Sequence, residues 1–181
     1  MGDHSDYDDY DDQAGPAPEA GMPTWMIVLI VLAIPCVAII PCSIVAAIAV
    51  PNLVEARKHG NEAAAIGGLK TIATAQSLFR EGDKDGNNVT DYGSLTALGQ
   101  ASLIDRVLAS GSKQGYQFTC SPVKGKEQYL WWATASPAEP GKTGDRYFFT
   151  DQSGVVRYSL QPIKVNPKTG QPNAKLNPLG R

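Results

Sequence analysis

The chain has few of the side chains that enzymes place at reactive centres. It contains two histidines, His4 and His59, and three cysteines, Cys36, Cys42 and Cys120. The histidines are far apart in sequence, and the only cysteine beyond residue 50 is Cys120, so no triad, zinc cluster or internal disulfide is expected there. No glycine-rich phosphate loop follows a strand-like segment. We therefore expect neither an enzyme nor a resident cofactor.

Lysine and arginine are absent before Arg57. Of the 18 acidic residues, seven lie in residues 1–23, and this segment also has little aliphatic content. We expect residues 1–23 to form a disordered acidic tail or leader. The other 11 acids share the rest of the chain with all 16 Lys and Arg, so that part carries a net charge of about +5. The basic residues of the C-terminal segment are sparse and lack interleaved aromatics, which argues against a nucleic-acid partner; they are Lys164, Lys168, Lys175 and Arg181.

Charged residues are also absent from residues 25–50, where an apolar run predominates. A helix of this length reaches roughly 39 Å at about 1.5 Å per residue, enough to cross a hydrocarbon core of about 30 Å. The sequence therefore predicts a transmembrane helix over residues 24–51, with membrane lipid as a partner.

An amphipathic helix is predicted over residues 52–81. Its apolar residues recur at spacings of three and four in the second half, and this pattern assigns a packing role to Ile66, Leu69, Ile72 and Leu78, with Phe79 as the alternative to Leu78. A cluster of Gly, Asp and Asn after Glu81 ends the helix.

The second half of the chain is strand-like. Residues 116–120, 128–134, 146–150 and 155–160 alternate or are rich in aromatic and β-branched side chains. We predict an α+β fold in which a long N-terminal transmembrane-plus-stalk helix packs on a three- to four-stranded antiparallel sheet. Residues 52–160 would form the stalk helix and head, and residues 161–181, rich in Pro, Asn and Lys, a flexible tail.

A weak calcium motif lies just after the predicted helix. Asp83, Asp85, Asn87 and Asp91 offer oxygen ligands in one loop. An EF-hand needs Gly at its sixth position and Glu at its twelfth, where this loop has Asn88 and Ser94. The EF-hand match therefore fails, and an exposed turn is the default interpretation.

A resemblance covers residues 44–160. The stretch IVAAIAVPNLVEARKHGNEAAAIGGLKTIATAQSLF, which starts at Ile44, resembles bacterial type IV pilins and type II secretion pseudopilins, and the segment over residues 47–53 is its most specific part. The resemblance implies a non-enzymatic structural subunit or accessory of a pilus or secretion system. Its partners would be copies of itself, other pilin-like subunits and assembly proteins. It also implies a single-pass protein of the bacterial inner membrane with a periplasmic or extracellular head.

The N-terminal region departs from the pilin pattern. The glutamate that pilins carry near the start of the mature helix has no counterpart, because the equivalent residue is Ile34 when counted back from Pro51 and Met26 when counted from Met22. Gly21 and Met22 are nevertheless a candidate processing site, although Pro23 follows them directly. The alternative function is therefore a permanently anchored binding or presentation module with a pilin-like head that does not polymerise.

Overall fold

The computed structural model describes the backbone of residues 21–179 and the side chains of that range other than 32–49. It contains three helices and six strands within these residues. They are α1 (Thr24–Glu81), α2 (Leu95–Gln100), α3 (Arg106–Ala109), β1 (Ser112–Lys113), β2 (Tyr116–Pro122), β3 (Trp131–Pro137), β4 (Tyr147–Asp151), β5 (Arg157–Ser159) and β6 (Asn177–Pro178). The chain divides into two units, Met1–Ala47 and Ile48–Arg181. The predicted tail over residues 1–23 falls largely outside the described residues.

The strands form one antiparallel sheet in the order β1-β2-β3-β4-β5-β6. Each strand therefore pairs with its neighbour in sequence, and the best-matched pair is β2 with β3, from Tyr116 opposite Pro137 to Pro122 opposite Trp131. The predicted sheet of three to four strands was too small. The additional strands β1 and β6 have two residues each, too short to show the alternation on which a sequence prediction depends.

The expectation of a transmembrane helix over residues 24–51 was wrong. Among the described residues, no helix is long and apolar enough to cross a membrane. The assignment to the bacterial inner membrane as a single-pass protein rested on that helix and is corrected with it.

In the second unit, α1 packs along one face of the sheet. Every third or fourth residue of the helix is buried, and the series runs Glu62, Ala65, Leu69, Ile72, Gln76 and Phe79. Opposite it lie the inward side chains of the central strands, among them Phe118, Ala133 and Phe148. The spacing of 3 and 4 keeps these helical residues on one side, so this part of the core is a single layer between helix and sheet.

The other face of the sheet is covered by the C-terminal segment. Phe149 is 1% exposed, and Val123 and Ile163 are buried as well. Residues 161–179 were predicted as a flexible tail, but they include β6, which pairs with β5, and an antiparallel bridge between Val165 and Pro172. This segment has no hydrophobic periodicity, so its pairing with the sheet could not be predicted from the sequence.

Candidate functional site

A buried carboxylate joins α1 to the start of β4. Glu62 is 3% exposed, and its Oε1 accepts hydrogen bonds from the backbone N–H groups of Asp145 (3.0 Å) and Arg146 (3.2 Å). Its Oε2 accepts from Nε and Nη2 of Arg146, both at 2.7 Å. A buried charge is tolerated when it is paired and its lone pairs are satisfied. We call Glu62, Asp145 and Arg146 the helix–sheet clamp.

Aromatic side chains hold Arg146 in place. Its guanidinium carbon lies 5.5 Å from the ring centroid of Phe148 and 5.4 Å from that of Tyr158. The carbonyl of Arg146 accepts a hydrogen bond of 2.9 Å from the Tyr116 hydroxyl. Burial, and then the charge of Glu62, raise the pKa of Tyr116, so that this hydroxyl remains a donor. The clamp is therefore fixed from the helix, from β2 and from β5.

Two polar contacts extend the clamp along the helix. Lys58 Nζ lies 2.9 Å from both Asp145 Oδ2 and Glu55 Oε2, and the hydrogen bonds to these two carboxylates raise the pKa of Lys58. One turn on, Asn61 Nδ2 donates to the carbonyl of Thr143 at 2.9 Å. The loop before β4 is thus bound to successive turns of α1.

A second buried polar contact lies further along α1. Gln76 is fully buried; its Nε2 donates to the carbonyl of Gly93 (2.6 Å) and its Oε1 accepts from the Gly93 N–H (2.9 Å). Nε2 also lies 3.0 Å from Cys120 Sγ. Burial raises the pKa of Cys120 to about 12 despite the hydrogen bond from Gln76. Because the thiolate is the nucleophilic form, this geometry argues against catalysis by Cys120.

An open polar groove lies beside this contact. One wall is the solvent-facing side of α1 at Lys70, Ala73, Thr74 and Ser77, and the rest consists of Tyr92, Trp131 and the turn at residues 152–154. Its volume is about 490 Å³, within the range of small-ligand pockets. We call this feature the polar groove. The hydroxyls of Thr74 and Ser77 donate to the helix carbonyls of Lys70 and Ala73, at 3.2 and 3.5 Å, so neither hydroxyl is paired with a base among the described residues.

The candidate calcium loop bonds to itself. Asp83 Oδ2 accepts from the N–H of Asn88 at 3.0 Å, and Asp85 Oδ2 accepts from Asn87 Nδ2 at 2.8 Å. Burial, and then the charge of Asp85, raise the pKa of Asp91. Among the described residues, no group of three or more His, Cys, Asp or Glu side chains is arranged to hold a metal. Asp85 and Asn87 are exposed, and the loop is held by hydrogen bonds among its own residues.

Three of the four residues assigned to helix packing lie in the core or against it, and the fourth is exposed. Leu69 and Ile72 are fully buried and Ile66 packs against the core, but Leu78 is 49% exposed. Phe79 occupies the buried position instead, one residue on. This follows from the spacing, because Phe79 continues the series through Ile72 and Gln76 while Leu78 does not.

The candidate processing site lies just before α1. Gly21 and Met22 are exposed, and Met22 is 62% exposed. The pair is therefore accessible in the described residues. His59 is also exposed, with Nε2 3.6 Å from Glu55, while His4 lies outside the described residues.

Sequence reasoning missed the clamp and the Gln76 contact. A signal was present, because Glu62 and Gln76 fall on the same helical spacing as Leu69 and Ile72. A polar residue on an apolar face predicts a buried partner. The partner itself, Arg146, lies 84 residues away and has no marker in the sequence.

Comparisons with family models, curated proteins and solved structures found no match for this chain. What the described residues can do chemically therefore follows from their geometry alone. It consists of a helix fixed to a sheet by buried polar contacts, with an open groove at their border.

Proposed function

We propose that this chain is a non-enzymatic, pilin-like structural subunit or accessory of a type IV pilus or type II secretion assembly. Its head would be carried by α1, and the N-terminal part of that helix would associate with copies of itself or with other pilin-like subunits. The resemblance over residues 44–160 and the helix-on-sheet head support this proposal.

The exposed apolar start of α1 is the observation that carries the proposal. The seven side chains of residues 25–31 are all apolar and between 36% and 63% exposed. Seven consecutive residues make nearly two turns, so they cover every side of the helix. A helix that is apolar all round is normally buried on all sides. One partner would cover only one side, and this pattern therefore favours a bundle of several copies.

The clamp suits such a subunit. Glu62 binds the residues just before β4, and Gln76 binds Gly93 and lies 3.0 Å from Cys120 Sγ in β2, so polar contacts hold the head to about 14 residues of α1, or roughly 21 Å.

The test measures self-association of the full chain by sedimentation velocity over a range of concentrations. We expect large oligomers, and we expect Leu29→Glu to disperse them, because it places a charge where each helix meets its neighbours. Thr96→Glu adds the same charge at an exposed site on α2 and serves as the control. A chain that stays monomeric at every concentration contradicts assembly.

A monomeric result would favour the alternative function, a presentation module that does not polymerise. The absence of a carboxylate at Met26 or Ile34 is the specific observation on its side. Mass spectrometry of the protein isolated from the cells that make it distinguishes the two functions further. A chain that begins at Met22 fits a processed subunit, whereas one that keeps residues 1–21 fits the module.

A further inference from the structure

The polar groove contains one cation, and no carboxylate belongs to its lining. Lys70 is exposed on the helical wall and forms no ion pair among the described residues. Asp151 directly precedes the turn that forms the opposite wall, but this acid is already engaged, because its Oδ2 lies 3.4 Å from Nη1 of Arg157. An anionic group in the groove would therefore meet an ammonium group without a competing carboxylate.

The hydroxyl groups of the groove already donate their protons within the protein. Thr74 and Ser77 donate to carbonyls one turn back along α1, at 3.2 and 3.5 Å. On the opposite wall, the Ser153 hydroxyl donates to Oδ1 of Asp151, and its oxygen accepts one bond of 3.3 Å from the Val155 N–H. A hydroxyl has one proton and two lone pairs, so each of these oxygens still has a lone pair with which to accept.

This lining distinguishes between classes of ligand. A ligand whose only polar groups are carboxylates or phosphates offers acceptors alone, and these would oppose the oxygens of Thr74 and Ser77. A cationic ligand would be repelled by Lys70. A ligand with several hydroxyls and one negative charge satisfies the groove, because its hydroxyls donate to the oxygens and its anion pairs with Lys70. The side chain of Gln152 forms no hydrogen bond with another described residue, so its amide adds a donor and an acceptor.

The groove has the dimensions of a site for one small ligand. Its helical wall from Lys70 to Ser77 is roughly 10 Å long, and its volume is about 490 Å³. We propose that the polar groove binds an acidic sugar, a ring that carries one carboxylate and several hydroxyls, either free or within a polysaccharide. The carboxylate pairs with Lys70, and the hydroxyls donate to Thr74 and Ser77. The inference does not depend on the assembly of copies.

The test titrates methyl glucuronide into the full chain and follows it by saturation-transfer difference NMR, which observes the ligand and therefore also works with large oligomers of the protein. We expect saturable binding that weakens as the salt concentration rises. Methyl glucoside keeps the hydroxyls without the carboxylate, and tetrahydropyran-2-carboxylate keeps the carboxylate without the hydroxyls. Each should bind about tenfold more weakly. Equal binding of either probe, or no binding of methyl glucuronide, would overturn the proposal.

Two pairs of variants locate the binding site. Lys70→Gln removes the cation of the groove and should weaken the binding of methyl glucuronide by about tenfold. Lys168→Gln makes the same change at an exposed residue between β5 and β6 and should leave the affinity unchanged. Thr74→Val removes one acceptor and should weaken binding by about threefold. Its control is Thr71→Val, because Thr71 makes the same bond to a carbonyl one turn back but does not line the groove. Equal effects within either pair would contradict the proposed site.

Discussion

Gly68 of α1 lies directly against the ring of Phe118 in β2. A Cβ added to Gly68 would stand 2.8 Å from Cε1 of that ring, closer than real Cβ atoms approach their neighbours. The next residue toward the N-terminus, Gly67, has no such neighbour within 4 Å. The two glycines of one dipeptide therefore have different roles. Gly68 permits the close approach of helix and sheet, and Gly67 is only a weak helix former.

This difference makes a matched pair of substitutions. We expect Gly67→Ala to raise the free energy of unfolding by about 0.5–1 kcal/mol, because alanine loses less backbone entropy in a helix. Gly68→Ala should lower it by about 1–3 kcal/mol through overpacking against Phe118. Urea unfolding followed by circular dichroism measures both. The same sign for the two variants would contradict the packing described.

Loss of the clamp should destabilise the head. Glu62→Gln keeps the shape of the side chain but leaves Arg146 without its counter-charge, and we expect a loss of about 3 kcal/mol. The control is Glu139→Gln, which removes an exposed pair with Lys142 and should cost less than about 0.5 kcal/mol. Urea unfolding again gives the comparison. If Glu62→Gln and its control differ by less than the error of the measurement, the clamp adds little to stability.

The Gln76 contact should protect one backbone amide. Gln76→Ala leaves the buried N–H and carbonyl of Gly93 without partners, which we expect to cost about 2 kcal/mol. Hydrogen exchange should accelerate at Gly93 more than elsewhere. Gln117→Ala, on the exposed side of β2, is the control and should change neither quantity. Unchanged exchange at Gly93 in Gln76→Ala would contradict the hydrogen bonds.

The Cys120 thiol should be unreactive in the folded head. Burial raises its pKa from an ordinary value of 9.0 to about 12, so almost no thiolate exists at pH 8. Iodoacetamide should label Cys120 only after denaturation, as read by mass spectrometry of its tryptic peptide. Because the raised pKa belongs to the folded state, the associated stability is complete below pH 9 and is lost as the pH rises toward 12. Rapid labelling of the native protein would show that the site opens.

Much of the head could be predicted from sequence because its signals are local. The period of three to four in α1 and the alternation in β2 set their buried faces directly, as for Leu69 and Phe118. Leu78 shows the limit of this reasoning. The spacing of apolar residues allowed Leu78 or Phe79 as the last core position, but one position on a helix is a rotation of 100°, and Phe79 is the residue that faces the sheet.

The rest could not be predicted because it depends on distant pairing. The clamp joins Glu62 to Arg146, and β6 joins the sheet from the far end of the chain. A two-residue strand carries no pattern, and a salt bridge across 84 residues has no local signature. Local composition can also mislead. The apolar composition of residues 24–51 predicted a transmembrane helix, which is not found among the described residues.

The order of the strands has a consequence for the synthesis of the protein. Each strand pairs with the one made just before it, so β2, β3 and β4 can join α1 while the chain is still growing. The face that contains Phe149 is different, because it is covered by residues near the C-terminus, among them Ile163. Until the segment that contains Ile163 has been made, that side of the nascent sheet stays open to chaperones and to wrong partners.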